Sequence, residues 1–157
     1  MTNETENCAF CKIVAGSAPA YRIHEDEQSL AILDINPYAK GHVLVISKRH
    51  VPWWHELNAD ETASLFETAN LVANKIMKAF SPEFVLMFAR GRRIPHTHIF
   101  LIPTYHGDLL DRFFNALEKV QESPQELARL KDAAAMEQAA QQLRGVSGDR
   151  RRETRTP

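Results

Sequence analysis

An excess of charge of either sign is missing from this chain of 157 residues: 19 Lys and Arg stand against 20 Asp and Glu, for a net charge of -1. The molecule as a whole offers no general attraction to nucleic acid or acidic membranes, so recognition of any anion has to be local. No specific nucleic-acid partner is expected. Long hydrophobic runs are missing as well: Phe84–Phe88 has the length of a strand, whereas a membrane helix needs roughly 18 apolar residues. The polar, acidic stretch Met1–Asn7 lacks the charged-then-apolar layout of a secretion signal. Cysteine is nearly absent. Cys8 and Cys11 are the only two, too close together to staple a long loop, and a reducing cytoplasmic setting is expected. No internal repeat is visible.

What is present suits one domain with chain to spare: 44% hydrophobic and 25% charged residues are enough for a packed core. Tyr21–Glu25 and Leu30–Asp34 read as short strands around the turn-prone Asp26-Glu27-Gln28. Asn36-Pro37 stops the second, and Gly41–Ser47 is a β-branched third strand. Asn58 with Glu61 three residues later forms a capping-box signature. Leu65, Ala69, Val72, Ile76 and Phe80 then give a helix one apolar face, and Ser81-Pro82 ends it. Phe84–Phe88 and His96–Ile102 read as two more strands around the basic turn Arg90-Gly91-Arg92-Arg93. Leu109–Val120 and Pro124–Leu143 look helical, and the arginine-rich end suggests a disordered tail. The predicted class is α+β: an antiparallel sheet of about five strands with one long helix packed on it, plus C-terminal helices. The predicted boundaries are 1–105 for the main domain, 106–144 for a helical extension and 145–157 for the tail.

Three groups of residues could carry chemistry. In Ile94–Pro103, strand alternation puts His96, His98, Phe100 and Ile102 on one face, with Thr97, Ile99 and Leu101 facing a covering helix. Two imidazoles in an apolar strand are costly unless partnered, so they are either hydrogen-bonded structural groups or functional ones. Cys8-x-x-Cys11 has zinc-knuckle spacing, to be completed by two distant histidines. It could also be a redox pair, which needs a thioredoxin-like context that the polar start does not provide, or two buried thiols. Trp53-Trp54 suits packing against the long helix or a second subunit better than a base pocket, given the area an indole buries.

Together these segments resemble the histidine-triad family of nucleotide-binding proteins. Pro95, His96, His98 and Pro103 match its Pro-His-x-His-x-His-x-x-Pro pattern. Phe10–Gly16, Tyr21–Glu25, Leu33–Pro37 and Gly41–Val51 match in the same order, over about two-thirds of the chain. The resemblance implies that His98 attacks the α-phosphorus of a nucleotide, forming a nucleotidyl-histidine that water hydrolyses, with backbone near His96 holding the other ring N–H. Neutral imidazole suits that role near pH 7. It implies that Asp34 accepts hydrogen bonds from ribose hydroxyls, although a turn or cap role would also suit an Asp before Asn36-Pro37. It places a structural zinc ion on Cys8, Cys11, His50 and His96, and it implies a homodimer with sheets joined across the interface. His42 matches a histidine near the family's site, and a structural role is expected for it.

The chain departs from that pattern in three places. Phe100 replaces the third histidine, and phenylalanine donates neither proton nor hydrogen bond; losing a positioned acid typically reduces rate about 10²- to 10⁴-fold. Gly91-Arg92-Arg93 stands where Gly-Gln-Ser or Gly-Gln-Thr is usual. The loop from Phe88 to Gly91 is short, and the phosphate-side asparagine has no counterpart. Arg90, Arg92 and Arg93 either hold phosphate or are solvated turn residues; Arg92 and Arg93 are the expected nucleotide contacts. The expected function is a nucleotidyl hydrolase or transferase acting on a phosphoanhydride, phosphoramidate or dinucleoside polyphosphate through His98. The alternative is a non-catalytic, zinc-stabilised nucleotide-binding module.

Overall fold

A computed structural model of the chain describes residues 5, 7–122, 125–128 and 130–148. The chain divides into two compact units between Asp111 and Arg112. The first contains a short helix α1 (Ala9–Val14), strands β1 (Arg22–Glu25), β2 (Ser29–Leu33) and β3 (Val43–Ser47), and the long helix α2 (Ala59–Phe80). Strands β4 (Phe84–Phe88) and β5 (His98–Thr104) follow. The sheet is antiparallel throughout, in the order β1-β2-β3-β5-β4. No helix among the described residues is long and apolar enough to cross a membrane.

Period-two alternation gives the sheet two apolar faces with different covers. Ala31, Val43, Val45, Ile99 and Leu101 pack against Leu65, Ala69, Val72 and Ile76 of α2. Each large aliphatic side chain buried there contributes about 1.5–3 kcal/mol. On the other face Leu30, Ile32, Leu44 and Ile46 pack with Cys8 and Phe10 at the start of α1, with Phe100 partly buried beside them. That cover is only six residues long, and it leaves space over the sheet.

The capping box read from Asn58 and Glu61 is present: the Glu61 amide donates to Asn58 Oδ1 at 2.9 Å and the Asn58 amide to Glu61 Oε2 at 2.8 Å. The buried Glu61 carboxylate also takes Arg49 Nη2 at 2.7 Å, tying the chain beyond β3 to the helix. At the β1–β2 turn, Asp26 accepts the amides of Gln28 and Ser29 and the hydroxyls of Ser64 and Thr68 on α2. Burial opposes its charge, but these four donors outweigh it and hold the carboxyl at about 2. Helix α2 ends at Ser81 in the left-handed region, φ 49°. Gly41, φ 87°, opens the approach to β3, where a Cβ would fall 2.3 Å from the Phe80 ring; only glycine fits there.

Strands β1, β2 and β3 differ from the sequence reading by a residue or two, and the fifth strand differs at both ends. The fifth strand begins at His98, not His96, because the amides of His96 and Thr97 bond to Ile94 and Val51 rather than within the sheet. It runs through Pro103 to Thr104, where β3 no longer flanks it; the last β3 pair is Val43 with Leu101. A proline lacking its donor is tolerated on such an unpaired side. The cysteine segment, left unassigned from sequence, is helical.

The second unit is helical. It takes in most of α3 (Leu109–Glu122), then α4 (Gln125–Ala128) and α5 (Ala133–Arg144). The single helix expected over Pro124–Leu143 is interrupted, because Asp132 accepts the amides of Ala134 and Ala135 and so starts a new helix. Pro124 and residues 149–157, most of the expected tail, lie outside the described residues.

Candidate functional site

Four chemistry-bearing residues, from three separate parts of the sequence, meet beside the start of β5. Cys8 caps α1 and Cys11 lies within it, so three-residue spacing puts both sulfurs on one side of the turn. Cys11 Sγ lies 3.2 Å from His50 Nδ1, while Cys8 Sγ is 3.4 Å from His96 Nδ1. The four ligand atoms all fall within 4.8 Å of one another. They are positioned to hold a metal ion.

The surrounding groups fit that role. His96 Nε2 donates to the Ser47 carbonyl at 2.6 Å, which puts the proton on Nε2 and leaves the Nδ1 lone pair facing the sulfurs. Burial keeps His96 neutral, pushing it down to about 4 against the pull of the Ser47 carbonyl; the nearby His50 and His98 add to the fall. Burial, then the hydrogen bond and charge of the Cys8 sulfur, push the Cys11 thiol up to about 11. A cation among the four atoms reverses that effect, because a coordinating thiol loses its proton. The chain around His50 is held by the ion pair of Arg49 with Glu61. It is held also by Val51, whose carbonyl accepts the Thr97 amide and hydroxyl.

Two residues on, His98 is buried and its Nδ1 lies 2.6 Å from the His96 carbonyl. A carbonyl only accepts, so Nδ1 carries the proton and Nε2 keeps a free lone pair. Burial lowers the His98 pKa, while the His96 carbonyl and Asp34 pull it up; the ring is a neutral imidazole with one nucleophilic nitrogen. It borders a cavity of about 700 Å³ whose wall includes Phe10, Asp34, Phe88, Arg92 and Phe100. Phe10 was not singled out from sequence. Its ring edge meets His96 at 5.7 Å and His98 at 5.0 Å, so the residue between the two cysteines touches the cysteine–histidine cluster and the cavity together. Its place inside Cys-x-x-Cys was the only available signal.

Asp34 lines the same cavity. One carboxylate oxygen accepts the Asn36 amide at 2.7 Å, as a turn residue does, and the other lies 3.6 Å from His42 Nδ1. His42 is buried and its pKa lowered, burial outweighing the Asp34 charge. Among the described residues its Nε2 has no hydrogen-bond partner. The His42 ring lies between Tyr38 and Phe100, at 5.6 Å from each.

Phe100 takes its place in an apolar wall. It stacks on Phe88 at 4.5 Å and 8° and meets His98 at 5.1 Å. Arg90, Arg92 and Arg93 also border the cavity. Their side chains form no ion pair among the described residues. Trp53 and Trp54 are 42% and 51% exposed in the single chain. Trp54 borders a separate apolar groove with Phe66 of α2 and Met87 of β4.

The fold, the paired histidines and the cavity together define a small α+β protein with a candidate site on one face of its sheet. Residues 15–107 match the family described as HIT domain, and the chain belongs to that family. It is 39% identical to adenylylsulfatase HINT3 of Arabidopsis thaliana over 66% of its own length, but spans only 55% of that protein. It is 38% identical to adenosine 5'-monophosphoramidase hnt1 of Schizosaccharomyces pombe, over 62% of this chain and 74% of that one. Among solved structures, a zinc-bound histidine triad family protein from Mycobacterium smegmatis aligns with a TM-score of 0.62 and 31% identity. That alignment covers 68% of this chain and 81% of the other.

Proposed function

We propose that this protein is a nucleotidyl hydrolase or transferase in which His98 is the nucleophile. The observation that carries the proposal is the 2.6 Å bond from His98 Nδ1 to the His96 carbonyl, which fixes the tautomer and leaves Nε2 free at the cavity wall. Nε2 attacks the α-phosphorus, the leaving group departs with the electron pair of its bond, and water then hydrolyses the nucleotidyl-histidine. Asp34 receives ribose hydroxyls, while Arg92 and Arg93 hold phosphate oxygens. Two similar proteins carry names of the same chemistry, an adenylylsulfatase and an adenosine 5'-monophosphoramidase.

Zinc is the ion proposed for Cys8, Cys11, His50 and His96. A tetrahedral site with typical zinc–sulfur and zinc–nitrogen bond lengths has sulfur-to-nitrogen edges of about 3.5 Å. The separations here are 3.2, 3.4 and 3.6 Å. When bound, the ion supplies structural cross-linking, and the reactive nitrogen belongs to His98. The proposed setting is cytoplasmic, where thiols stay reduced. The proposed assembly is a homodimer joined along the β4 edge, where Phe84 and Met87 are exposed.

The test is a panel of nucleotide substrates, with mass spectrometry to detect an adduct on His98. His98→Ala is expected to reduce turnover to background while barely weakening binding. Full activity of His98→Ala ends the proposal. Phe100 supports a second reading, a non-catalytic binding module; nucleotide that raises the melting temperature and is never consumed, by wild type, would favour it.

A further inference from the structure

The wall around His98 is unusual in what it can and cannot give a departing group. Its ionisable members are Asp34, Tyr38, Arg90, Arg92, Arg93 and His98. His98 is spent as nucleophile, and a carboxylate only accepts hydrogen bonds. Guanidinium groups donate hydrogen bonds and stabilise negative charge, yet they do not release a proton in proteins. Tyr38 borders the cavity with its ring stacked on His42, and a phenol gives up its proton far less readily than an imidazolium. His42, the nearest other imidazole, lies against Phe100 with its Nε2 shut away from solvent, and does not border the cavity. The Phe88–Phe100 stack occupies the remaining side with carbon and hydrogen alone. Among the described residues the cavity therefore has three arginines outside any ion pair for a leaving anion, and no imidazolium to protonate a basic one.

We infer that the cavity selects substrates by leaving group, taking nucleotides joined to phosphate, sulfate or carboxylate and rejecting phosphoramidates of unactivated amines. This rests on the nucleotidyl-transfer reading above. In the accepted case Nε2–P forms, P–O breaks, and the electron pair stays on an oxygen that is already a stable anion beside the arginines. Water then attacks phosphorus, the P–N bond breaks with its pair returning to Nε2, and the water proton goes to solvent. In the rejected case the breaking P–N bond puts its pair on an amine nitrogen. That nitrogen needs a proton at the moment of departure, and the wall holds no imidazolium to give it. Phe88 and Phe100 are thus specificity-determining residues, with Arg90, Arg92 and Arg93 favouring the anionic product.

The experiment compares a nucleoside 5'-phosphosulfate, the matching 5'-phosphoramidate and a series of 5'-aryl phosphate esters with phenols of graded acidity, using the full chain. Wild type is expected to turn over the phosphosulfate at least about 10²-fold faster than the phosphoramidate. Its aryl-ester rates are expected to fall steeply as the phenol becomes less acidic. In Phe100→His the phosphoramidate-to-phosphosulfate rate ratio rises by up to about 10². In Arg92→Gln/Arg93→Gln the phosphosulfate loses more rate than the aryl esters, whose charge is delocalised. Equal wild-type rates for phosphoramidate and phosphosulfate, or a flat aryl series, overturn the inference without touching the role of His98. Should Phe100→His fail to fold, the wild-type ratio and the arginine variant decide alone. No turnover of any substrate, with no His98 adduct, removes the parent reading and this inference together.

Discussion

The two neighbours of His98 along its own stretch of chain are built in opposite ways. Upstream, His96 uses every polar atom it has: Nε2 on Ser47, Nδ1 beside the cysteine sulfurs, and its carbonyl on His98. Downstream, the Phe100 side chain has no polar atom and lies against the rings of Phe88, His42 and His98. The upstream side fixes where the reactive nitrogen points and which tautomer it holds. The downstream side fixes only shape. A site can thus keep its nucleophile in full register while losing the group that would finish the reaction for difficult substrates.

Substitution on the two sides should show this asymmetry. His96→Ala removes a buried imidazole, opens a cavity and strands the Ser47 carbonyl, and should reduce stability by about 3–5 kcal/mol. Phe100→Leu keeps apolar bulk and should reduce it by roughly 1 kcal/mol. Denaturant unfolding of both variants measures the difference; losses of equal size would erase the contrast.

A second polar network gives a control away from His98. Asp26 has its carboxyl at about 2 in the folded chain and about 3.9 when unfolded. The folded value is depressed, so the stabilisation is fully present above pH 4 and is lost as pH falls towards 2. It amounts to about 2 kcal/mol. Asp26→Asn should therefore lower stability at pH 7 by about that amount and flatten the acid limb between pH 4 and 2. An unchanged acid limb would show that the bonds to Ser64 and Thr68 contribute nothing.

Chelation probes the upstream side from outside. Ala9, Phe10 and Ile13 of α1 border the cavity, and Cys8 and Cys11 tie that helix to His96. Removing metal should weaken nucleotide binding about tenfold, equivalent to 1.4 kcal/mol. By linkage, nucleotide should tighten metal binding by the same factor. Titration calorimetry in both orders checks it, and nucleotide affinity indifferent to chelator would mean that α1 stays seated unaided.

Local patterns were legible in the sequence, and distant partnerships were not. Strand β4 lies at the bounds read for it, and the Asn58–Glu61 box is in place, because each is decided by residues within a few positions. The alternation that sent Ile99 and Leu101 to the helix-covered face was equally local. Arg49 reaching Glu61, or Asp26 reaching Ser64 and Thr68, spans 12 to 42 positions and leaves no periodic trace. The cysteine–histidine cluster was expected by resemblance to known proteins; the spacing named only the cysteines. Arg90, Arg92 and Arg93 are exposed and border one cavity, a placement that the composition of the turn did not foretell.

The reach of that cluster also bears on how the chain comes to be folded. Cys8 and His96 are 88 positions apart, so an ion joining them closes a loop that encompasses nearly the whole first unit. Loop-closure entropy grows only slowly with length, but it must be overcome before the distant contact returns anything. Helix α2 and the β1–β2 and β2–β3 hairpins are local and form first. The docking of α1 beside β5 is expected to come late, with any ion captured then. Refolding with metal present should therefore leave the main folding phase unchanged and slow unfolding, the signature of a clasp fastened after the garment is on.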